Sequence, residues 1–504
     1  MDGIEQSPEQ SLDREALIAL VVEMRRELLL LRDVNVTLTE ANAVLRRRVA
    51  ELEGRGGKPT TKLAEPYSLR AEERREQVLV DGESAPGAGS TKERQRSARR
   101  GRVATSVKIE QADVVEEIIP EGFSKRQCER VRTRVVWRIR EGRAVRVAYE
   151  LWRGPGGEEP SIEGVSASSE FAREIHLSVA YLSYIVGLSL DKICQLMKFF
   201  WQLDVSKSQA NALLTQLSRE WEAEFDTLCT LLAHSAVVHA DETSWSFNSV
   251  WALLSEQSRL MIFGCRKDAE TLDLLLPKAT FEGVLCSDDA SIYRGFTKAQ
   301  KCWAHLLRKA IKFTLLDPPG ATYRRVLDEL LAIYRAAKGH SLNPLLTATE
   351  RTANVEQLTR RLCQLLGEFI IDEAPPLVGT LARDFHNLMH EFSRLALDEE
   401  LFTFVMHPAA TGTNNEAERS LRPAALDRHT GRTSKTPSGA RRRSILVSVL
   451  ESVKLHLPQF TLESLLTEIT RWHNTGQSLF ADLLKTKETS HKPSILTQLY
   501  PKPG

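Results

Sequence analysis

The sequence predicts a mixed α/β core that is interrupted by an all-helical insertion and preceded by a coiled coil, a β-hairpin and a helical region. Three patterns predict this arrangement. Apolar residues recur every seven positions near the N-terminus, strand-length apolar runs lie between residues 237 and 305, and residues 306–404 have a helical pattern almost throughout. Together the patterns divide the chain into an N-terminal accessory part and a larger core.

The composition is that of an ordinary soluble protein with several domains. The chain has 504 residues, of which 42% are hydrophobic and 27% are charged. Its net charge of +1 hides two basic clusters, residues 91–102 and the triplet Arg441, Arg442 and Arg443. Such clusters occur in solvated tails and also in nucleic-acid-binding proteins, where they contact phosphates.

The sequence contains no signal for export or membrane insertion. No apolar run reaches the roughly 18 residues that a membrane span needs, and the N-terminus lacks the pattern of a signal peptide. The seven cysteines are scattered without a Cys-x-x-Cys pair, which favours free thiols in a reduced compartment. We therefore expect a cytoplasmic protein with no membrane partner.

The N-terminal repeat predicts a coiled coil over residues 17–52. Asn35 and Asn42 occupy two of the a positions, where polar residues fix register and oligomer state, most often in parallel dimers. A long amphipathic helix that packs on its own protein is also compatible with the pattern, but the strict period of seven favours self-association. The d positions are Leu17, Met24, Leu31, Leu38, Leu45 and Leu52.

A linker and a small β region follow the coiled coil. Residues 58–105 are rich in Gly, Pro, Ser and charged residues and end in a basic stretch with Arg99, Arg100 and Arg102, which either contacts phosphates or is simply solvated. Residues 131–140 and 145–152 alternate apolar and basic side chains around a Glu-Gly turn. They predict a β-hairpin with an arginine face toward DNA or toward solvent.

Residues 166–228 predict a helical region with two capped helices. Ser189 precedes a helix over residues 190–200, and Ser206 precedes a second helix that begins at Lys207 and extends to residue 221. Two short helices joined by a tight turn suggest a helix-turn-helix, with Lys207 among its DNA contacts. Generic helix pairs have the same pattern, so this remains one of two interpretations.

The next segment predicts the strands of the core. Residues 237–241, 250–254 and 259–265 read as strands, followed by a helix over 269–276 and further strands over 281–287 and 301–305. Three antiparallel strands, a helix and further strands are the order of a ribonuclease-H-like core, in which the first and fourth strands are neighbours. Asp241 and Asp288 would then end adjacent strands.

The rest of the chain completes the core after a helical insertion. Residues 313–406 form the predicted insertion, and residues 414–422 form a short helix that we expect Pro423 to stop. A basic loop over residues 428–439 precedes an amphipathic helix over residues 440–456. Residues 458–504 are polar and predict a short helix and a tail.

Asp241, Asp288 and a third carboxylate on a helix, Glu418, could bind two divalent cations for phosphoryl transfer. Asp241 rather than Glu242 is expected to face the metals. Asp289 is the alternative to Asp288 as the second metal-binding carboxylate. Singly, these residues also fit turn, cap or helix-surface roles. His239 lies on the same strand face as Asp241, where it either approaches the site or is a satisfied core histidine.

Cys302 and His305 supply only two ligands in the Cys-x-x-His spacing, so zinc is not expected. A buried cysteine with a histidine beside the site is the favoured interpretation.

Three motifs in this order resemble those of bacterial transposases of the insertion sequence 66 family. The first is His-Ala-Asp-Glu-Thr-Ser-Trp at 239–245. The second is Ser-Asp at 287–288 with Tyr293, followed by Cys-Trp-Ala-His at 302–305 with Arg308. The third is Thr-Asn-Asn-Glu-Ala-Glu-Arg at 413–419, followed by Arg422 and Pro423. The resemblance covers residues 165–456. One departure is that family members often carry a cysteine-rich, zinc-finger-like segment, whereas residues 106–165 contain only Cys128.

The resemblance implies a DDE transposase with Asp241, Asp288 and Glu418 as the catalytic and metal-binding triad and two Mg²⁺ or Mn²⁺ ions as cofactors. Supporting positions would be His239, Cys302, His305, Asn414, Asn415, Arg419 and Arg422. The expected partners are terminal inverted repeats, target DNA, a second copy through residues 17–52, and element-encoded helper proteins. Two further functions remain compatible with the sequence, a catalytically silent DNA-binding regulator and a structure-specific nuclease of the same core.

The predicted divisions follow from these patterns. They are a coiled coil at 1–57, a linker at 58–105, the hairpin region at 106–165, the helical region at 166–228, the core at 229–312 and 407–457, the insertion at 313–406 and the tail at 458–504.

Overall fold

The computed structural model describes residues 103–166, 169–370, 380–485 and 494–501. The predicted coiled coil and the basic residues Arg99, Arg100 and Arg102 lie outside these ranges. No helix within them is both long and apolar enough to cross a membrane. All seven cysteines are free thiols, as the sequence analysis expects.

A small three-stranded sheet begins the described part. A short helix α1 (Thr105–Glu110) precedes β1 (Val114–Ile118), and β2 (Glu129–Arg140) and β3 (Arg143–Arg153) form the predicted hairpin. Its two-residue turn needs positive φ angles, which Glu141 and Gly142 adopt at 48° and 77°. The sequence analysis missed strand β1, which pairs in parallel with β3.

The arginines of this hairpin contact the protein's own polar groups. Arg138 lies 3.2 Å from Glu174, and Arg130 lies 2.7 Å from Glu150. Arg140 makes two contacts with Glu116. Acidic side chains of the protein thus pair with several of the arginines that the sequence pattern suggested for DNA binding.

The helical region contains α2 (Arg173–Ala180), one π turn (Tyr181–Ile185), α3 (Leu190–Trp201), α4 (Lys207–Glu220) and α5 (Glu222–Ala233). The predicted caps are present, because Ser189 accepts a hydrogen bond from the Lys192 amide and Ser206 forms a capping box with Gln209. The two capped helices therefore lie within one residue of their predicted bounds.

The central sheet has five strands in the order β6-β5-β4-β7-β8. Its strands β4 (Val237–Ser244), β5 (Ser249–Leu254) and β6 (Arg259–Cys265) are antiparallel, and α6 (Ala269–Leu275) leads to β7 (Val284–Ser287) and β8 (Ala299–Lys301). Strands β4, β7 and β8 pair in parallel. The first and fourth strands are thus neighbours, as expected.

Two strand predictions were wrong at their ends. Strand β4 does not stop at Asp241 but continues to Ser244, because it stays paired with β5 after its pairing with β7 ends at His239. The predicted strand over residues 301–305 is instead the end of β8 followed by the start of a helix at Trp303.

The insertion consists of α7 (Trp303–Leu316), α8 (Ala321–Leu342), α9 (Ala348–Ile370), α10 (Thr380–Leu397) and α11 (Thr403–Met406). Trp303 is its central side chain, with ring centroids 5.5–5.8 Å from those of Tyr334, Phe392 and Phe402. Its Nε1 donates to the Leu401 carbonyl at 2.7 Å. The helical unit therefore begins ten residues before the predicted boundary at 313 and packs directly beside β8.

The chain returns to the sheet through α12 (Asn415–His429) and α13 (Pro437–His456). Pro423 lies inside α12, so the prediction that it ends this helix was wrong. The helix continues past the missing amide because Leu421 and Ala424 are buried in one cluster with Ala252 of β5.

Helix α13 covers the edge strand β6 with a row of serines spaced one helical turn apart. Ser444, Ser448 and Ser452 accept hydrogen bonds of 2.8–2.9 Å from backbone amides of β6. These bonds satisfy edge groups that would otherwise be open to another strand.

Three helices follow α13 in the described part of residues 458–504, where the sequence analysis expected one short helix and a tail. They are α14 (Leu462–Thr475), α15 (Leu479–Leu484) and α16 (Ile495–Leu499). Their apolar side chains Leu465, Trp472, Phe480 and Leu496 are buried in the main core. A solvated tail would not need such apolar residues.

Candidate active site

Asp241 lies on the face of β4 that is covered by α12. Strand alternation decides this, because Asp241 pairs with Ala252 and Glu242 pairs with Trp251. Ala252 is buried with Leu421 of α12, whereas Trp251 belongs to the main core on the opposite face.

Asp288 and Glu418 come from two other elements at the same edge. Asp288 directly follows β7, the parallel neighbour of β4, and its Oδ1 accepts a hydrogen bond from the Ala290 amide at 3.0 Å. Glu418 is in the first turn of α12, where its amide donates to the Asn414 carbonyl at 3.2 Å. One turn and one helix end therefore bring both carboxylates toward β4.

The charges of neighbouring carboxylates act on Asp241. Burial, together with the negative charges of Glu242, Asp288 and Glu418, raises the pKa of Asp241 to about 7. Asp289 is directed elsewhere, into an ion pair with Arg394 of α10. Between the two adjacent aspartates, Asp288 is thus the one whose charge acts on Asp241.

Glu242 has a different environment although it is the next residue. Its side chain is buried, with a residue exposure of 9%. It accepts a hydrogen bond from the Tyr293 hydroxyl and forms an ion pair with Lys267. These contacts give Glu242 a packing role and leave Asp241 on the α12 side.

Arg308 holds the Glu418 carboxylate. Its Nη2 lies 2.9 and 3.0 Å from the two carboxylate oxygens, and His305 Nδ1 lies 3.5 Å from Oε1. Sequence reasoning assigned no role to Arg308. A usable signal was its position one helical turn after His305, which places both side chains on one face of α7.

Asn414 joins three parts of the site. It is fully buried, and its Nδ2 donates to the Ala240 carbonyl at 2.7 Å. Its backbone amide donates to Cys302 Sγ at 3.1 Å, and its Oδ1 lies 3.2 Å from His239 Nδ1. Burial lowers the pKa of His239, so a neutral ring donates this hydrogen bond.

His239, Asn414 and Asn415 have different surroundings at this junction. Asn414 is the N-cap of α12, yet its side chain does not cap the helix. Asn415 is exposed at the first position of α12. His239 is 6% exposed, and its hydrogen bond to Asn414 links β4 to the start of α12.

Lys301 is a buried charged residue near the site that sequence reasoning missed. It is 1% exposed, and its Nζ donates to Ser287 Oγ at 3.3 Å. Burial lowers its pKa, while Glu400, Asp289 and Asp288 favour its charged form. A single lysine in a three-residue strand carries no sequence signal for burial.

Some of the predicted basic contacts are on the surface. Arg419 and Arg422 are exposed on α12, next to Glu418 in the chain. Lys207 is also exposed at the start of α4, where its Nζ lies 2.9 Å from Asp191.

The basic triplet on α13 contacts the protein itself. Arg443 is 5% exposed, is paired with Asp427 and lies 5.0 Å above the Trp245 ring. Its placement contradicts the expectation that it contacts DNA, because helix packing buries it. Arg441 pairs with Glu222 at 2.6 Å, and Arg442 donates to the Asn211 side chain at 2.8 Å.

The donor atoms fit hard divalent cations. Carboxylate oxygens are the ligands that Mg²⁺ and Mn²⁺ prefer, and a bound cation would offset the repulsion that helps to raise the pKa of Asp241. Arg419 and Arg422 are exposed on the helix that carries Glu418.

The comparison with protein families identifies the chain. The model of the family described as Transposase IS66 family matches residues 169–442, which is 274 of the 504 residues. The match contains the central sheet, the insertion and all three carboxylates. The chain belongs to this transposase family, which confirms the resemblance seen in the sequence. No curated protein matches the chain.

Proposed function

We propose that this protein is a DDE transposase that cleaves the ends of an insertion sequence and joins their 3′-hydroxyl groups to target DNA. Family membership supports a transposase. The observation that supports the mechanism is that the negative charges of Asp288 and Glu418, which come from two other elements, help to raise the pKa of Asp241. The five-strand order, with three antiparallel strands and two parallel ones, supports a ribonuclease-H-like core.

In this proposal the three carboxylates would hold two Mg²⁺ or Mn²⁺ ions, which would activate the attacking oxygen and stabilise the leaving oxygen. The protein's own groups provide the positioning. Asn414 fixes the distance between β4 and α12 through its buried hydrogen bonds. Arg308 orients the Glu418 carboxylate and balances its negative charge.

DNA binding is proposed to involve several surfaces. Arg419 and Arg422 are exposed next to the acidic cluster and could contact phosphates. Helices α3 and α4, with Lys207, would act as the helix-turn-helix for terminal repeats, assisted by Arg99, Arg100 and Arg102. Residues 17–52 would pair two copies, because transposition must bring two DNA ends together. Such a protein would work at the nucleoid, with or without helper proteins.

A strand-transfer assay with a labelled terminal repeat, target DNA and Mg²⁺ tests this function. The wild type should join the labelled end, whereas Asp241→Asn, Asp288→Asn and Glu418→Gln should bind the repeat without joining it. Equal joining by wild type and Asp241→Asn would refute catalysis at this site. Binding without joining by the wild type would indicate a silent regulator, and cleavage of branched DNA without a terminal repeat would indicate a nuclease.

A further inference from the structure

Cys302, His305 and Glu418 form a cluster suited to a softer cation than Mg²⁺. Among the residues that the structure describes, their sulfur, ring-nitrogen and carboxylate atoms all lie within 4.8 Å of one another. Cys302 precedes α7, His305 is in its first turn, and Glu418 comes from the first turn of α12. Two ligands close in sequence thus gain a third from a distant helix.

The environment of the two α7 ligands favours metal binding. His305 Nδ1 is buried and makes no hydrogen bond, although it lies 3.5 Å from Glu418 Oε1. Leaving a buried ring nitrogen without a partner is costly, and a metal ion would provide one. Cys302 Sγ accepts the Asn414 amide at 3.1 Å, an outer contact of the kind that stabilises a metal-bound sulfur.

A cavity borders two of the three proposed ligands, Cys302 and His305. This cavity of about 250 Å³ is lined by Cys302, His305, Lys301 and Asp288. Zinc bonds of about 2.0–2.3 Å in a tetrahedron separate ligand atoms by roughly 3.3–3.8 Å. The three atoms therefore need to approach one another by at most about 1–1.5 Å. A water molecule from the cavity can be the fourth ligand.

We propose that Zn²⁺ binds to the Cys302 thiolate, His305 Nδ1 and one Glu418 oxygen. The thiol proton passes to the solvent as the zinc–sulfur bond forms. The sequence analysis did not expect zinc because Cys-x-x-His offers two ligands, and the third is supplied only by folding. Zinc would also withdraw Glu418 from the Mg²⁺ site and inhibit strand joining. That consequence rests on the proposed function, whereas zinc binding does not.

Cobalt absorption spectroscopy on the full chain tests the site. His386 and His390 should first be changed to alanine, because their Nε2 atoms lie 3.3 Å apart on an exposed helix face and would bind metal themselves. In this background Co²⁺ should give a thiolate-to-metal charge-transfer band, and Zn²⁺ should remove it. Cys302→Ser should abolish the band, whereas Cys363→Ser, at an exposed thiol, should leave it unchanged.

Variants of the other two ligands keep the test valid if Cys302→Ser does not fold. His305→Ala and Glu418→Gln should each lower the affinity for Co²⁺ by at least about 10-fold, since even outer-shell losses cost about 10–100-fold. A missing band in the starting protein, or unchanged affinity in both variants, would overturn the proposal.

Asp241→Asn separates this site from the proposed function. The variant should keep the cobalt band, because Asp241 is not one of the three ligands, but it should lose strand joining. If it joins DNA normally and still shows the band, the proposed catalytic triad fails while the zinc site stands. If it joins no DNA and the wild-type chain shows no band, the triad stands and the zinc site fails.

Discussion

Replacing Asp241 by asparagine should stabilise the metal-free protein and abolish strand joining at the same time. Burial and neighbouring carboxylates raise the pKa of Asp241 from 3.8 to about 7, which corresponds to an upper limit of about 4 kcal/mol for the cost of ionising it in the fold. The side chain is only half-buried, so solvent screening reduces the expected gain to about 1–2 kcal/mol. Asparagine keeps the Oδ1 that accepts the Glu242 amide.

The pH dependence of this gain has a definite sign. Below about pH 4 the carboxyl is protonated in both the folded and the unfolded chain. As the pH rises from about 4 to 7, the unfolded chain loses the proton while the folded protein keeps it, so the wild type loses stability. The advantage of Asp241→Asn should therefore grow over this range and level off above about pH 7. Urea unfolding in a chelating buffer measures it.

Glu242→Gln is the matched control, because it removes the same charge from the adjacent residue. Glu242 is buried against Tyr293 and paired with Lys267, so this change should destabilise the protein by about 1–3 kcal/mol and reduce joining much less. The reasoning would be refuted if Asp241→Asn destabilised the protein at pH 8 as Glu242→Gln does, or if both variants lost joining equally.

Three other outcomes are expected. Asn414→Ala should lower the free energy of unfolding by about 1–3 kcal/mol, because buried hydrogen bonds between β4 and α12 are lost. Arg443→Met should cost about 1–3 kcal/mol, because the buried Asp427 loses one of its two charge partners and keeps only Arg432 at 3.1 Å. Arg441→Met at a more exposed pair should cost less than about 1 kcal/mol. Mg²⁺ should raise the melting temperature of the wild type more than that of Glu418→Gln, because that variant lacks one of the proposed ligands.

Denaturant and thermal unfolding check these outcomes. If Asn414→Ala left the free energy of unfolding unchanged, the contact between β4 and α12 would contribute little to stability. Equal losses for the two arginine variants would contradict the difference in their burial, and equal Mg²⁺ stabilisation of wild type and Glu418→Gln would exclude Glu418 as a ligand.

Local sequence determined most of the elements around the site. The serine caps at Ser189 and Ser206, the alternating hairpin and the apolar runs of the central sheet each depend on interactions within a few residues. Such interactions are encoded in short windows, so the pattern of residue types predicts them. The order of the strands also predicted that β4 and β7 would be neighbours.

Element ends and the burial of charge were decided by packing. Pro423 is tolerated inside α12 because the residues around it are buried against the sheet. Arg443 is part of a basic triplet in the sequence, yet contacts with Asp427 and aromatic rings hold it inside the protein. In both cases the deciding partners are distant in the chain or lie on another element.

The sequence by itself determined the family, the main elements and the three carboxylates as candidates. Only the tertiary structure decided that Asp241 faces α12 while Glu242 faces the core, that Arg308 holds Glu418, and that Glu418 approaches Cys302 and His305. The physical reason is the separation along the chain between the interacting groups. Periodicity and capping act over one or two turns, whereas the electrostatics of a site arise from groups that meet only when the sheet and its covering helices are packed together.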